Sequence, residues 1–130
     1  MELILKDITF TGDILNQIII AVNNERTTIK ELIAARVASE VKSYNDKFPE
    51  YFNGLVKPTD AERTLNGFKL KDRNKKIDIE QQVLIAWDAF YKNGYFILID
   101  GQQAENLEQE VLISEDTSVN FIKLTQLVGG

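Results

Sequence analysis

The sequence predicts an α+β fold: a mixed sheet with one main helix, and a helical insertion between that helix and the third strand. Three observations carry this reading. Two runs rich in β-branched residues lie on either side of Thr11-Gly12-Asp13, the composition of strands joined by a tight turn. Two segments, opening at Thr28 and at Asp78, pair a capping residue with apolar residues at helical spacing. A further run, Tyr95-Phe96-Ile97-Leu98-Ile99, is apolar throughout, as a buried strand is.

In chain order, residues 2–10 contain Leu3, Ile4, Leu5, Ile8 and Phe10 and read as the first strand. Residues 14–22, centred on Ile18-Ile19-Ile20, form the second and complete a hairpin. Thr28 and Glu31 make a capping box that opens the main helix. Ile29, Leu32, Ile33, Val37, Val41 and Tyr44 form its apolar stripe, and it fades near Asn45, before Pro49. Arg36 and Glu40, four apart, are placed to pair on its surface. Residues 46–77 are less regular. Thr59 and Glu62 suggest a short helix ending at Asn66-Gly67. Lys69, Lys71, Arg73, Lys75 and Lys76 form a basic stretch, read first as a solvated loop or edge hairpin and second as a docking patch for an acidic surface.

Asp78, with Gln81 three residues on, opens the second helix; Ile79, Val83, Leu84, Trp87, Phe90 and Tyr91 give it a broad apolar face, and Asn93-Gly94 stop it. The third strand is residues 95–99, followed by an Asp100-Gly101 turn. Val111 to Ile113 form a short strand, and residues 118–124 the last one. Neighbouring strand residues point to opposite faces, so Leu3-Ile4-Leu5, Ile18-Ile19-Ile20, Phe96-Ile97-Leu98 and Phe121-Ile122 put apolar side chains on both. The Ile79–Tyr91 helix, with Trp87 near its middle, is therefore expected to cover the face opposite the main helix; the rival is a partner or self-association surface.

Composition narrows the function. The 130 residues are 44% hydrophobic and 27% charged, with a net charge of −5, the balance of a folded globule and a poor one for neutralising nucleic-acid phosphates. Without Cys or His the chain has no thiol nucleophile and no imidazole base, so Ser–His and Cys–His catalysis within it are excluded. Paired-carboxylate catalysis is disfavoured, and no phosphate-binding glycine loop occurs. No apolar run approaches the roughly 20 residues of a membrane-spanning helix, and residues 1–10 lack the order of a signal peptide. The reading is a cytoplasmic protein that is not an enzyme, holds no metal or cofactor, and binds neither nucleic acid nor membrane.

The order strand, strand, helix, insertion, strand, turn, strand, Gly-Gly resembles the ubiquitin-like β-grasp fold. Ile97 to Gly101 is similar to the strand and turn after the helix in the sulfur carriers of molybdopterin and thiamine synthesis. Glu115 to Ser118, Val119, Phe121 and the ending Leu127-Val128-Gly129-Gly130 resemble the last strand and tail of those carriers and of prokaryotic ubiquitin-like modifiers. The resemblance covers residues 1–45 and 95–130, with 46–94 as an insertion within one domain. It implies that an enzyme of the ubiquitin-activating type, consuming ATP, adenylates the Gly130 carboxylate. The product is then joined to a target protein, or converted to a thiocarboxylate in the sulfur-carrier alternative; a non-covalent interaction module is the third reading.

On that reading Gly129 and Gly130 are the site of activation or conjugation. Leu127 and Val128 are a partner-binding tail, exposed and poorly anchored, and Ile122 and Leu124 are a candidate partner face. Physically, glycine lacks a Cβ, so a Gly-Gly strip passes through a narrow channel that larger residues would block.

Overall fold

A computed structural model describes residues 1–124. It shows an α+β fold in which two helices pack on a mixed five-stranded sheet. The first strand, β1 (Glu2–Ile8), and the second, β2 (Ile14–Ala21), form the expected hairpin, with an irregularity in register between Asp7 and Ile8. A short strand missed by pattern reading, β3 (Arg26–Thr28), precedes the main helix α1 (Ile29–Lys47). Thr28 caps α1: its hydroxyl accepts from the Glu31 amide at 3.1 Å and donates to the Glu31 carboxylate at 3.3 Å. Ile29, Leu32, Ile33, Val37, Val41 and Tyr44 are all buried, as the stripe requires. The helix runs two residues past Asn45 and stops where Phe48 turns left-handed, at φ 44°.

The insertion departs from expectation. Residues 59–67 form no helix; β4 (Ala61–Thr64) and β5 (Gly67–Leu70) make an antiparallel hairpin. Thr59 and Glu62 have capping-box spacing, but no apolar helical stripe follows them. Asp60 sits at φ 59° and Gly67 at φ 130°, conformations that break a helix and bend a hairpin. The second helix, α2 (Ile79–Tyr91), matches the expected span, capped by Asp78, whose carboxylate accepts from the Gln81 amide at 3.3 Å.

Next come β6 (Tyr95–Ile99) and β7 (Gln102–Gln103), joined at Asp100 (φ 49°) and Gly101 (φ 83°). Two consecutive positive φ values are what a tight hairpin turn needs, and Asp-Gly supplies them cheaply. The strand β8 (Glu110–Leu112) pairs with β3 outside the main sheet, and β9 (Val119–Lys123) enters the sheet's centre. The five-stranded order is β2-β1-β9-β6-β7, with β9 parallel to β1 and antiparallel to β6.

Strand parity sorts the sheet into two faces. Leu3, Leu5, Ile20, Tyr95, Ile97, Val119 and Phe121 point inward and are buried. Helix α2 lies on this same side, correcting the expectation that it covers the opposite face. Its Val83, Ala86 and Phe90 join one core with Leu5, Ile97 and Phe121. The Tyr95 hydroxyl donates to the Ala86 carbonyl at 2.7 Å, and Trp87 Nε1 donates to the Lys30 carbonyl of α1 at 3.0 Å. Trp87 is only half-buried, while Leu84 and Tyr91 face solvent. Helix α2 packs beside α1 and over β6, where its apolar face is buried. Among the described residues no helix is long and apolar enough to cross a membrane.

Candidate functional site

Of the residues singled out from sequence, Leu127, Val128, Gly129 and Gly130 lie outside the described residues. Ile122 and Leu124 are described. Ile122 points to the outer face at the end of β9, and Leu124 follows, 42% exposed, its amide donating to the Gly94 carbonyl at 3.4 Å.

On the outer face, Ile122 is flanked by Ile8 of β1 and Phe96 of β6, and Ile8 by Ile14 of β2. Four apolar side chains thus form one row across four strands at the end of the sheet from which the tail departs. Further along, Ile4 pairs with Ile19; these are 47% and 58% exposed. Ile122, only 8% exposed, is shielded by its position on the central strand. The outer face thus carries a band of uncovered apolar surface, the feature that marks interaction sites. Sequence reading found Ile122 but missed Ile8, Ile14 and Phe96. The signal available was the unalternating apolar doublets, which say that both faces are apolar but not which residues line up.

On the inner face directly beneath lies a buried ionic cluster. Asp7 of β1 receives two hydrogen bonds from the Arg36 guanidinium of α1, at 2.5 and 2.8 Å. Arg36 also reaches Glu40 at 3.4 Å. Lys123, the last residue of β9, approaches Asp7 at 3.8 Å and donates to the Gly54 carbonyl at 3.1 Å. The Glu40 carboxylate accepts from the Leu55 amide at 3.2 Å. Arg36 is completely buried, its guanidinium stacked 4.5 Å from the centre of the Phe121 ring. The expected surface pair of Arg36 and Glu40 is thus an interior one. The helical spacing was right; the third partner, Asp7, lies 29 residues away and is invisible to local pattern.

Two cations meet two carboxylates, so the cluster is balanced. It ties together β1, α1, β9 and the 54–55 loop at the root of the tail. Burial pushes the Glu40 carboxyl above its ordinary value, against the pull of Arg36. Burial likewise holds Lys123 below its ordinary value, against the attraction of Asp7. Such a cluster fixes geometry; its net stabilisation is small because desolvation offsets the attraction.

The basic stretch at residues 69–76 is exposed and spans β5 and the following loop. Among the described residues, no three His, Cys, Asp or Glu side chains converge on a point where a metal ion could be held. Compared with protein families, curated proteins and solved structures, the chain matches none.

Proposed function

We propose that the chain is a ubiquitin-like β-grasp protein, a modifier or carrier activated by adenylation of the Gly130 carboxylate by an enzyme of the ubiquitin-activating type. The observation that carries this reading is topological. A hairpin and three later strands share one sheet, a capped helix lies between them in the chain, and the helices pack on one face while the other is open. The last described strand, β9, takes the central position, so the segment bearing Gly129 and Gly130 follows a strand paired on both sides, beside the apolar row. The ionic cluster under Lys123 anchors that departure point. On this reading Leu127 and Val128 enter a groove of the activating enzyme, and the row of Ile14, Ile8, Ile122 and Phe96 docks against it.

The test is incubation with ATP and the cognate activating enzyme, with intact mass read before and after. The intact mass also establishes that Gly130 is the terminus of the protein assayed. Larger adducts on other proteins mark a modifier; a gain of one sulfur marks the sulfur-carrier alternative. Activation that survives removal of Gly129 and Gly130 overturns the proposal. The second reading, a non-covalent interaction module, is favoured by the apolar row itself, which needs no terminal chemistry to bind a partner.

A further inference from the structure

A cleft of about 800 Å³ opens beside the end of β9. Three of its sides come from residues 46–94, the part of the chain that the β-grasp resemblance does not cover. They are the 53–57 loop, the β4–β5 hairpin from Arg63 to Phe68, and the second half of α2 with the turn after it. Tyr95, Lys123 and Leu124 form the fourth side. These walls are braced against one another. The buried Gln82 of α2 donates from Nε2 to the Val56 carbonyl at 2.9 Å. Lys123 holds the Gly54 carbonyl at 3.1 Å, and Phe52 and Phe68 exchange backbone hydrogen bonds at 2.8 and 3.0 Å. The cleft is thus formed before anything enters it, which spares a ligand the cost of ordering its walls.

Its charge is opposite to that of the molecule. The chain carries 20 acidic and 15 basic residues, yet the described residues that bound the cleft include Lys57, Arg63, Lys92 and Lys123 and no Asp or Glu. Lys92 contributes least, being paired with Asp88 at 2.8 Å on the surface. Lys57 Nζ donates to the Pro58 and Ala61 carbonyls at 3.3 and 3.1 Å, and the Arg63 guanidinium lies 5.2 Å from the centre of the Phe68 ring. Among the described residues neither Lys57 nor Arg63 is ion-paired with a carboxylate. Burial chiefly lowers the pKa of Lys123, and the charge of Arg63 adds to the effect, so these two cations face one another closely enough to repel. Between the cations the surface is apolar, supplied by Leu55, Val56, Phe68 and Ile85.

We propose that this cleft binds an acidic segment of another protein, with its carboxylates on Lys57, Arg63 and Lys123 and an interleaved aliphatic side chain against Phe68 and Ile85. A guanidinium can take a carboxylate in two parallel hydrogen bonds. An ammonium has three donors, so Lys57 and Lys123 keep donors beyond those given to backbone carbonyls. A single small anion fits less well. Lys57 and Lys123 are tied to carbonyls in different places and Arg63 to an aromatic ring, so the charges are spread along the cleft rather than gathered at one point. The inference goes beyond any chemistry at Gly130 and does not rest on it.

The experiment uses the full chain and synthetic peptides of about ten residues in which glutamates are interleaved with leucine or valine. The controls are the same peptides with glutamine in place of glutamate. Affinity is read by fluorescence anisotropy and the site by amide chemical shifts. The expected result is saturable binding of the glutamate peptides that shifts Asn66, Phe68 and Asn93. The glutamine peptides should bind at least tenfold more weakly. Arg63→Gln should weaken binding roughly tenfold. Raising salt from about 0.1 M to about 1 M should weaken it as well, because the screening length shrinks from about 10 Å to about 3 Å. The glutamine peptides and the salt series leave the protein unchanged, so they decide the matter even where Arg63→Gln folds poorly. Five outcomes overturn the proposal: no glutamate peptide binds; the glutamine peptides bind as tightly; the shifts fall on Ile8, Ile14 and Phe96 instead; inorganic phosphate binds the cleft more tightly than the peptides, which would make it a small-anion site; or the peptides bind only after residues 125–130 are removed or a dimer is dissociated, which would make this chain its own occupant.

Discussion

Arg36 shows how one side chain can carry a local and a global role at once. Its spacing from Glu40 is an ordinary helical pair, yet its guanidinium is enclosed and its closest partner is Asp7, a strand residue. Removing one member of a buried pair leaves the other charge uncompensated. Asp7→Ala should therefore destabilise by roughly 3–5 kcal/mol, read by urea unfolding; a loss below about 1 kcal/mol, typical of an exposed pair, would show the cluster to be solvated. Glu40 gives a pH signature. Burial raises its folded pKa above 4.5, so just above that pH the native state binds more protons than the unfolded state. Stability from this group is complete below 4.5 and is lost as pH rises through the raised folded value. Relative to Glu40→Gln, which cannot titrate, the unmodified protein should lose ground as pH climbs from 4.5 toward neutrality. A flat or opposite trend in paired unfolding curves would refute this.

At the scale of elements, both long helices were legible because cap, stripe and stop agree within one segment. Thr28 with Glu31, and Asp78 with Gln81, needed no tertiary information. The 59–67 segment was misread because a cap pattern with no apolar stripe behind it carries little weight; Asp60, Asn66 and Gly67 are turn residues whose partners lie along the hairpin. Phe52 then bridges to Phe68 of that hairpin through paired backbone hydrogen bonds of 2.8 and 3.0 Å. The position of α2 carries its own prediction. Phe90 is buried while Trp87 is half-exposed. Phe90→Ala should cost roughly 3–5 kcal/mol and Trp87→Ala distinctly less, as melting curves of the two variants would show. Equal losses would mean that Trp87 is enclosed as deeply as Phe90.

For the molecule as a whole, the two faces of the sheet divide the labour. The inner face holds the core and the ionic cluster, and the outer face presents the apolar row. If the proposed function holds, Phe96→Asp should weaken binding at least tenfold, in an affinity measurement with an enzyme of the ubiquitin-activating type, while shifting the melting temperature by only a few degrees. A collapse of stability would place Phe96 in the core instead. On the proposed function, deleting Gly129 and Gly130 should abolish adenylation, read as loss of the activated species by intact mass.

What the sequence determined by itself is local: nearly every strand of the main sheet, both helices with their caps, the Asp100-Gly101 turn, and the absence of thiol and imidazole chemistry. These follow from periodicity, capping and composition, which act over a few residues. Tertiary structure alone decided that α2 shares the inner face with α1, that Asp7 is the partner of Arg36, and that Ile14, Ile8, Ile122 and Phe96 align. Each of those depends on strand register and on which face a helix finds unburied, and both are settled by contacts between residues far apart in the chain.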